Sequence, residues 1–277
     1  VRSICGAGDT SGWSGPSSFT TTCAVASAPF FDNLDGGGWV ADNGGSSINS
    51  IIDQCWTRIP DVTTTYSWRV RTTSTGSGSG STGPISDKSG SGNYIYTEAS
   101  SGTSGSVAEI YTPFIDVTGI ANPQVDYWYH FYGTQINIMY VDYFDGTSWS
   151  TVDSIAGGQQ TAGTDPWLNK VIPLSPGTVI QIRFRAISDG CCAGDLAIDE
   201  VFVGAPPTCP APQSVSAVVV GVDSAIITLS DSVNTTWEVE YGIAGFIPGT
   251  GTSFVTTDTT DTISGLLANT TYEVFVK

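Results

Sequence analysis

From Val179 to Ala186 the chain reads VIQIRFRA, apolar and polar residues in strict alternation. A two-residue period fits a strand with one buried face, because successive side chains leave opposite sides of a sheet. Comparable runs of β-formers lie at Asn93 to Glu98, Val107 to Tyr111, Gln124 to Tyr132, Ile136 to Phe144 and Leu196 to Val203, with turn residues between most pairs. The segment FDGTSW, Phe144 to Trp149, predicts an antiparallel hairpin closed by a type I′ turn, with positive φ at both central residues. Thr72 to Gly83 is wholly Ser, Thr and Gly and buries too little apolar surface to offset its ordering entropy, so a mobile loop is expected there. With 33 glycines, 14 prolines and only 13% charged residues, the 277-residue chain predicts many short strands and almost no helix.

A change of composition at GAPPTCPAP, Gly204 to Pro212, reads as a stiff linker. After it a second series of short strands is expected at Ser214 to Val220, Ser224 to Ser230, Thr236 to Tyr241, Ser253 to Thr257, Thr262 to Ser264 and Thr271 to Lys277. The expected organisation is residues 1–22 as the closing strands of a preceding domain, 23–205 as one sandwich and 206–277 as a second that lacks its last strand.

A formal charge of −17 repels phosphate backbones and anionic membranes, which excludes nucleic acid and membrane surfaces as expected partners. No apolar run is long enough to span a bilayer as a helix, and no signal peptide opens the chain at Val1, as expected of a mature or excised segment. Six cysteines without CxxC or Cys/His metal spacing point to disulfides and hence to an oxidising, extracellular compartment. Cys191 and Cys192 are adjacent and form either a strained vicinal bridge or leave one buried thiol; the vicinal bridge is the favoured reading.

Catalysis needs a nucleophile beside a base, a metal-held water, or paired carboxylates across a cleft. His130, the single histidine, sits in the strand-like WYHFYG, where a packed side chain is the expected role, and GxSxG, HExxH and phosphate-cradling glycine motifs are missing from any fitting context. The chain is therefore expected not to be an enzyme. Calcium is the expected cofactor, because a hard cation takes several carboxylate and carbonyl oxygens converging from loops and strands. Its candidate ligands are Asp32 and Asp35 in FFDNLD, Asp87 in GPISD, Glu98 at the end of YIYTE, and Asp199 within DLAIDEV. Among eight tryptophans, Trp149 and Trp167 fall at turns and are the candidate sugar-stacking, ligand-binding residues.

The segments FFDNLDGGGW, QCWTRIPD, GPISDKSGSGNYIYTEAS, AEIYTPFIDV, VDYWYHFYG, IQIRFRA and GDLAIDEVFVG resemble, in order, a MAM domain over roughly residues 23 to 204. The family has a jelly-roll-like β-sandwich fold and serves adhesion. The inserted GGSSINSIID and Lys88, where the family often has histidine, depart from its pattern. The resemblance implies a Cys23–Cys55 bridge, and it makes the opening and closing strands neighbours, which would bring Asp35 towards Asp199. CPAPQSVSAVVV, WEVEYG and TISGLLANTTYEVFVK resemble a fibronectin type III domain, an immunoglobulin-like sandwich, with Leu266, Thr270 and Tyr272 in its corner motif. The opening segment resembles the end of such a domain, with GPSSFTTT as its last strand and Val1-Arg2 in register with Val276-Lys277. On that resemblance Cys5 and Cys209 pair across copies and look unpaired within one.

The expectation is an all-β repeat unit of a secreted or surface-attached bacterial stalk or filament, calcium-stabilised, that mediates adhesion or assembly. Its expected partners are head-to-tail copies of itself and cell-surface glycans. The alternative is a non-catalytic carbohydrate-binding accessory module of a secreted hydrolase or protease.

Overall fold

Alternation of apolar and polar residues is realised as strands throughout the computed structural model, which describes residues 4–17, 22–45, 47–74, 82–190, 192–207, 209, 212–231 and 234–277. The one helical element among the described residues is a 3-10 turn, Ala99–Ser101. The chain divides into two units, Val1–Ala205 and Pro206–Lys277.

The first unit begins with a small hairpin, β1 (Ile4–Gly6) and β2 (Asp9–Thr10), followed by β3 (Ala26–Ser27), β4 (Phe30–Asp32), β5 (Thr57–Ile59), β6 (Trp68–Arg71), β7 (Tyr94–Thr97) and β8 (Val107–Tyr111). It continues through β9 (Ile115–Asp116), β10 (Gln124–His130), β11 (Ile138–Phe144), β12 (Trp149–Ala156), β13 (Leu168–Pro173), β14 (Val179–Ile187) and β15 (Ala197–Gly204). One sheet has the order β13-β10-β15-β7-β6, with β4 also on β15. The other has the order β12-β11-β14-β8-β5, with β9 on β14 and β3 parallel to β9. The unit is a β-sandwich.

Its core lies between the sheets. Ile180, Ile182, Phe184 and Ala186 of β14 are fully buried, as the alternation requires, and Val125, Tyr127 and Phe131 of β10 face them from the other sheet. Tyr127 meets Phe184 edge-on with ring centroids 4.9 Å apart. Trp68 crosses the gap, donating its indole N–H from β6 to the carbonyl of Ala108 in β8 at 3.3 Å. Each such large apolar side chain contributes roughly 1.5–3 kcal/mol by leaving water.

Departures from the sequence reading have local causes. β6 is buried at all four positions, so it shows no alternation; its outer side is covered by the inserted loop, from which the Gly44 carbonyl and Ser47 Oγ accept from Arg71 at 3.1 and 2.8 Å. β13 is an edge strand with few buried residues, and its pattern is correspondingly weak. The β11–β12 hairpin forms with Phe144 opposite Trp149, but the type I′ expectation is corrected. Its loop has four residues, only Gly146 has positive φ (97°), and Asp145 Oδ1 accepts from the backbone N–H groups of Thr147 and Ser148 at 2.7 and 2.8 Å. The carboxylate thus holds a wider turn. Residues 11–17 carry no strand, while 18–21 of GPSSFTTT and 75–81 of the expected mobile loop lie outside the described residues.

The second unit comprises β16 (Ser214–Val219), β17 (Ser224–Ser230), β18 (Trp237–Ile243), β19 (Thr252–Thr256), β20 (Thr260–Ser264) and β21 (Tyr272–Val276). Two three-stranded antiparallel sheets, β16-β17-β20 and β19-β18-β21, enclose Ile227, Leu229, Trp237, Val239 and Ile263.

Cys23 and Cys55 are joined, with Cα atoms 5.5 Å apart across 32 residues of sequence. Cys209 is free and exposed, and Cys192 is disulfide-bonded. The expected roles of Cys5 and Cys191 fall on side chains outside the described residues. Closing a loop of this length removes denatured-state entropy, so the double substitution Cys23→Ser with Cys55→Ser is expected to lower stability by about 3 kcal/mol. Urea unfolding followed by tryptophan fluorescence checks this, and an unchanged midpoint would contradict it.

Candidate functional site

Backbone pairing brings three acids to one corner of the first unit. β4 lies antiparallel to β15, with Phe30, Phe31 and Asp32 opposite Val203, Phe202 and Val201. Beyond β4 the chain turns sharply at Leu34 (φ 60°), whose N–H donates to Asp32 Oδ1 at 2.8 Å and whose side chain is fully buried. Asp35 therefore emerges at the surface. Its Oδ1 accepts from the backbone N–H of Asn93 at 2.6 Å, and its Oδ2 accepts from the Asn33 amide at 2.9 Å.

Asp87 approaches from the segment before β7 and is only 4% exposed. Its Oδ2 accepts from the N–H and hydroxyl of Ser89 at 3.1 and 2.5 Å, whereas its Oδ1 is buried with no protein hydrogen-bond partner. Gly92 lies between the two acids. A first side-chain carbon there would stand 2.5 Å from Asp35 Oδ1 and 2.8 Å from Asp87 Oδ2, so only glycine leaves the space open.

Asp199 comes from a bulge in β15. Register against β10 runs Trp128 to Asp199 and then Asp126 to Phe202, one residue more on β15 than on β10, and Glu200 takes up the irregularity at φ 46°. Bulges re-aim side chains. Asp199 is 1% exposed; its Oδ2 accepts from Lys88 N–H at 3.0 Å and its Oδ1 from Glu200 N–H at 2.7 Å. Burial first, then the charges of Asp87 and Glu200, push its pKa up to about 8 against the two hydrogen bonds. Lys88 Nζ is 3.0 Å from Glu200 and 4.6 Å above the Trp128 ring.

The remaining expected ligands do other work. Asp32 accepts from Trp39 and Trp56 indole N–H groups at 3.2 and 2.9 Å, in addition to Leu34. Glu98 is fully buried, accepts from Ser100 N–H at 3.1 Å and lies 4.0 Å from the buried guanidinium of Arg69. Among the described residues no group of three acidic, histidine or cysteine side chains forms a ready-made metal cage. Asp35 and Asp87 share a space, and Asp199 joins them through the Lys88 backbone.

Trp149 opens β12 at 37% exposure, packed on Tyr111 and Phe144 with Arg183 4.7 Å above its ring. Trp167 donates to the Ser86 carbonyl at 3.2 Å and, with Trp128 and Lys88, lines a cleft of about 370 Å³ beside Asp87. Sequence reasoning placed Trp128 in a strand interior and missed Gly92, Ser89 and Lys88. The signal for these three was the KSGSGN stretch directly after Asp87. His130 is fully buried, and burial lowers its pKa to about 4, so it is neutral near pH 7.

Linkage sets the pH behaviour. His130, depressed from 6.5 to about 4, adds stability as pH rises between those values. Asp199, raised from 3.8 to about 8, removes stability as pH rises through its own window. The two oppose one another below about 6.5, and Asp199 acts alone above it. In chelator, the melting temperature of the first unit is expected to fall from pH 6.5 to 8, and Asp199→Asn to flatten that slope. A wild-type slope that the substitution leaves intact would overturn the assignment.

Comparison with known proteins places this architecture. The chain is 26% identical over 146 residues to neuropilin-1 of Xenopus laevis, an alignment that covers 48% of this chain and 14% of that protein. The K1 cleaved adhesin domain of Lys-gingipain from Porphyromonas gingivalis W83 is 15% identical, with a TM-score of 0.41 over 64% of this chain and 98% of that one. The K2 cleaved adhesin domain is 17% identical, with a TM-score of 0.41 over 64% and 97%. The profile of the MAM domain, meprin/A5/mu, matches residues 53–210, more than half of the sequence, and the chain belongs to the MAM domain family.

Proposed function

We propose that the chain is an extracellular adhesive and structural module whose first unit is stiffened by calcium and whose second unit is a fibronectin type III domain. The observation that carries the calcium reading is the buried, unpartnered Oδ1 of Asp87 facing the same space as Asp35. An ionised carboxylate oxygen out of water and without a donor is costly, and a bound cation removes that cost. Asp35, Asp87 and Asp199 are the residues that would hold it, with backbone carbonyls and water completing the roughly 6–8 oxygens calcium takes. The ion would tie β4, the segment before β7, and β15 together by neutralising their acids. Membership of the MAM family, the Cys23–Cys55 bridge and the two sandwich units support an exported module, used in repeated copies along a bacterial surface stalk.

A second reading rests on a different feature. The cleft between Trp128 and Trp167 suits the face of a sugar ring, which favours cell-surface glycans as ligands or a carbohydrate-binding accessory role beside a secreted hydrolase or protease. Immobilised chain tested on glycan arrays separates the readings. Binding lost in Trp167→Ala supports the accessory role, and cell attachment without glycan binding supports the stalk.

Calcium at 100 times its dissociation constant is expected to stabilise the first unit by about 2.7 kcal/mol, visible as a rise in melting temperature. Asp87→Asn and Asp35→Asn are expected to abolish most of that rise, whereas Glu98→Gln shifts the baseline without removing the response. A melting curve insensitive to calcium and chelator would sink the calcium reading.

A further inference from the structure

The second unit is a sandwich whose two sheets do not close on one side. Register places Val215, Ala217 and Val219 of β16 opposite Leu229, Ile227 and Ala225 of β17, which are all buried, so all six belong to the inner face. Yet Ala217 is exposed and Val219 is 79% exposed. In the other sheet Val274 and Val276 of β21 stand opposite Tyr241 and Val239 and are only half-buried, although Val239 is fully buried. The uncovered strip forms a cavity of about 580 Å³ lined by Ala217, Val219, Leu266, Leu267 and Tyr272, among others.

The backbone beside this strip is open as well. Glu238 and Lys277 exchange hydrogen bonds at 2.9 and 3.0 Å, and Ala244 N–H donates to the Thr271 carbonyl at 3.0 Å. By alternation, Tyr272, Val274 and Val276 turn their N–H and carbonyl groups away from β18. Among the described residues no strand pairs that edge of β21. An apolar inner strip beside an open edge is the geometry that accepts an added strand, main chain to main chain.

We propose that this seam is a docking site for a second copy of this chain, which inserts its amino-terminal segment, residues 1–22, along β21. Two further observations select that occupant. Within it, β1 and β2 pair only with each other in the described structure, and an isolated two-stranded hairpin is marginal in water. The segment is also neutral, Arg2 against Asp9, in a chain of formal charge −17, so it reaches an acidic partner without like-charge cost. Donor segment and acceptor seam are different surfaces, so the contact is heterologous and propagates head to tail. The proposal names the partner within the repeat reading given above and does not depend on calcium.

Sedimentation velocity of the full chain in physiological salt tests it. The expected result is an open series of masses that grows with concentration and persists in chelator. Deleting residues 1–22, or substituting Val274→Pro, whose N–H faces the open edge, should each leave a monomer; Ala217→Lys serves if the proline variant fails to fold by circular dichroism. An equimolar mixture of the deletion and the seam variant should give a dimer of twice the monomer mass and nothing larger, because each carries one competent surface. Free peptide 1–22 should cap the series. Wild-type monomer at every concentration, or association that survives deletion of residues 1–22, overturns the proposal. Slow amide exchange at Val274 in a monomeric chain also overturns it, because the edge would then be covered within one copy.

Discussion

The carboxylate of Asp32 fastens the opening of the first unit. Its two oxygens collect the N–H of Leu34 and the indole N–H groups of Trp39 and Trp56, so one buried charge fixes the turn after β4, the following loop and the segment carrying Cys55. The two indoles meet edge-on, with centroids 5.3 Å apart, and close over it. Burial pushes the Asp32 pKa upward while these three donors restrain it, so the ionised form is retained through directed hydrogen bonds rather than solvent. The Leu34 turn delivers Asp35 to the corner where Asp87 and Asp199 arrive from elsewhere in the sequence. Replacing Asp32 would thus disturb the acid corner without touching any of its members.

The division of labour among the acids follows from depth and donors. Glu98 and Asp32 sit where protein donors are available and serve as internal fasteners. Asp87 lies equally deep but finds donors for one oxygen only, and Asp199 is pressed against it by a bulge. Such a corner costs stability unless a counter-charge is supplied, which is how a discontinuous site differs from a satisfied network.

Much of the sandwich was legible because β8, β10, β14 and β15 alternate or are densely apolar, and the same strands carry the core. Burial on both faces hid β6, and edge position hid β13, since periodicity reports only a strand with one wet side. The acids of the corner were legible as residue types in turn-like or interrupted strands. Their sorting was not, because the indole donors to Asp32 and the guanidinium beside Glu98 come from distant positions that no local pattern links. Gly92 was invisible for a related reason: its role is the space it leaves between two other residues.

Each lysine and arginine among the described residues is already committed within its own unit. Arg58, Arg69, Lys88, Lys170, Arg183, Arg185 and Lys277 pair with acids, and Arg71 is spent on the Gly44 carbonyl, the Ser47 hydroxyl and the Ser74 carbonyl. The acids left over face solvent without mobile counter-charges of their own, so the surface behaves as a polyanion. Its ion atmosphere concentrates divalent over monovalent cations, and at physiological salt its field fades within about 8 Å. In fresh water the field would hold neighbouring molecules apart, whereas in brine they would pack closely, which makes ionic strength a control on spacing in any dense array of such chains.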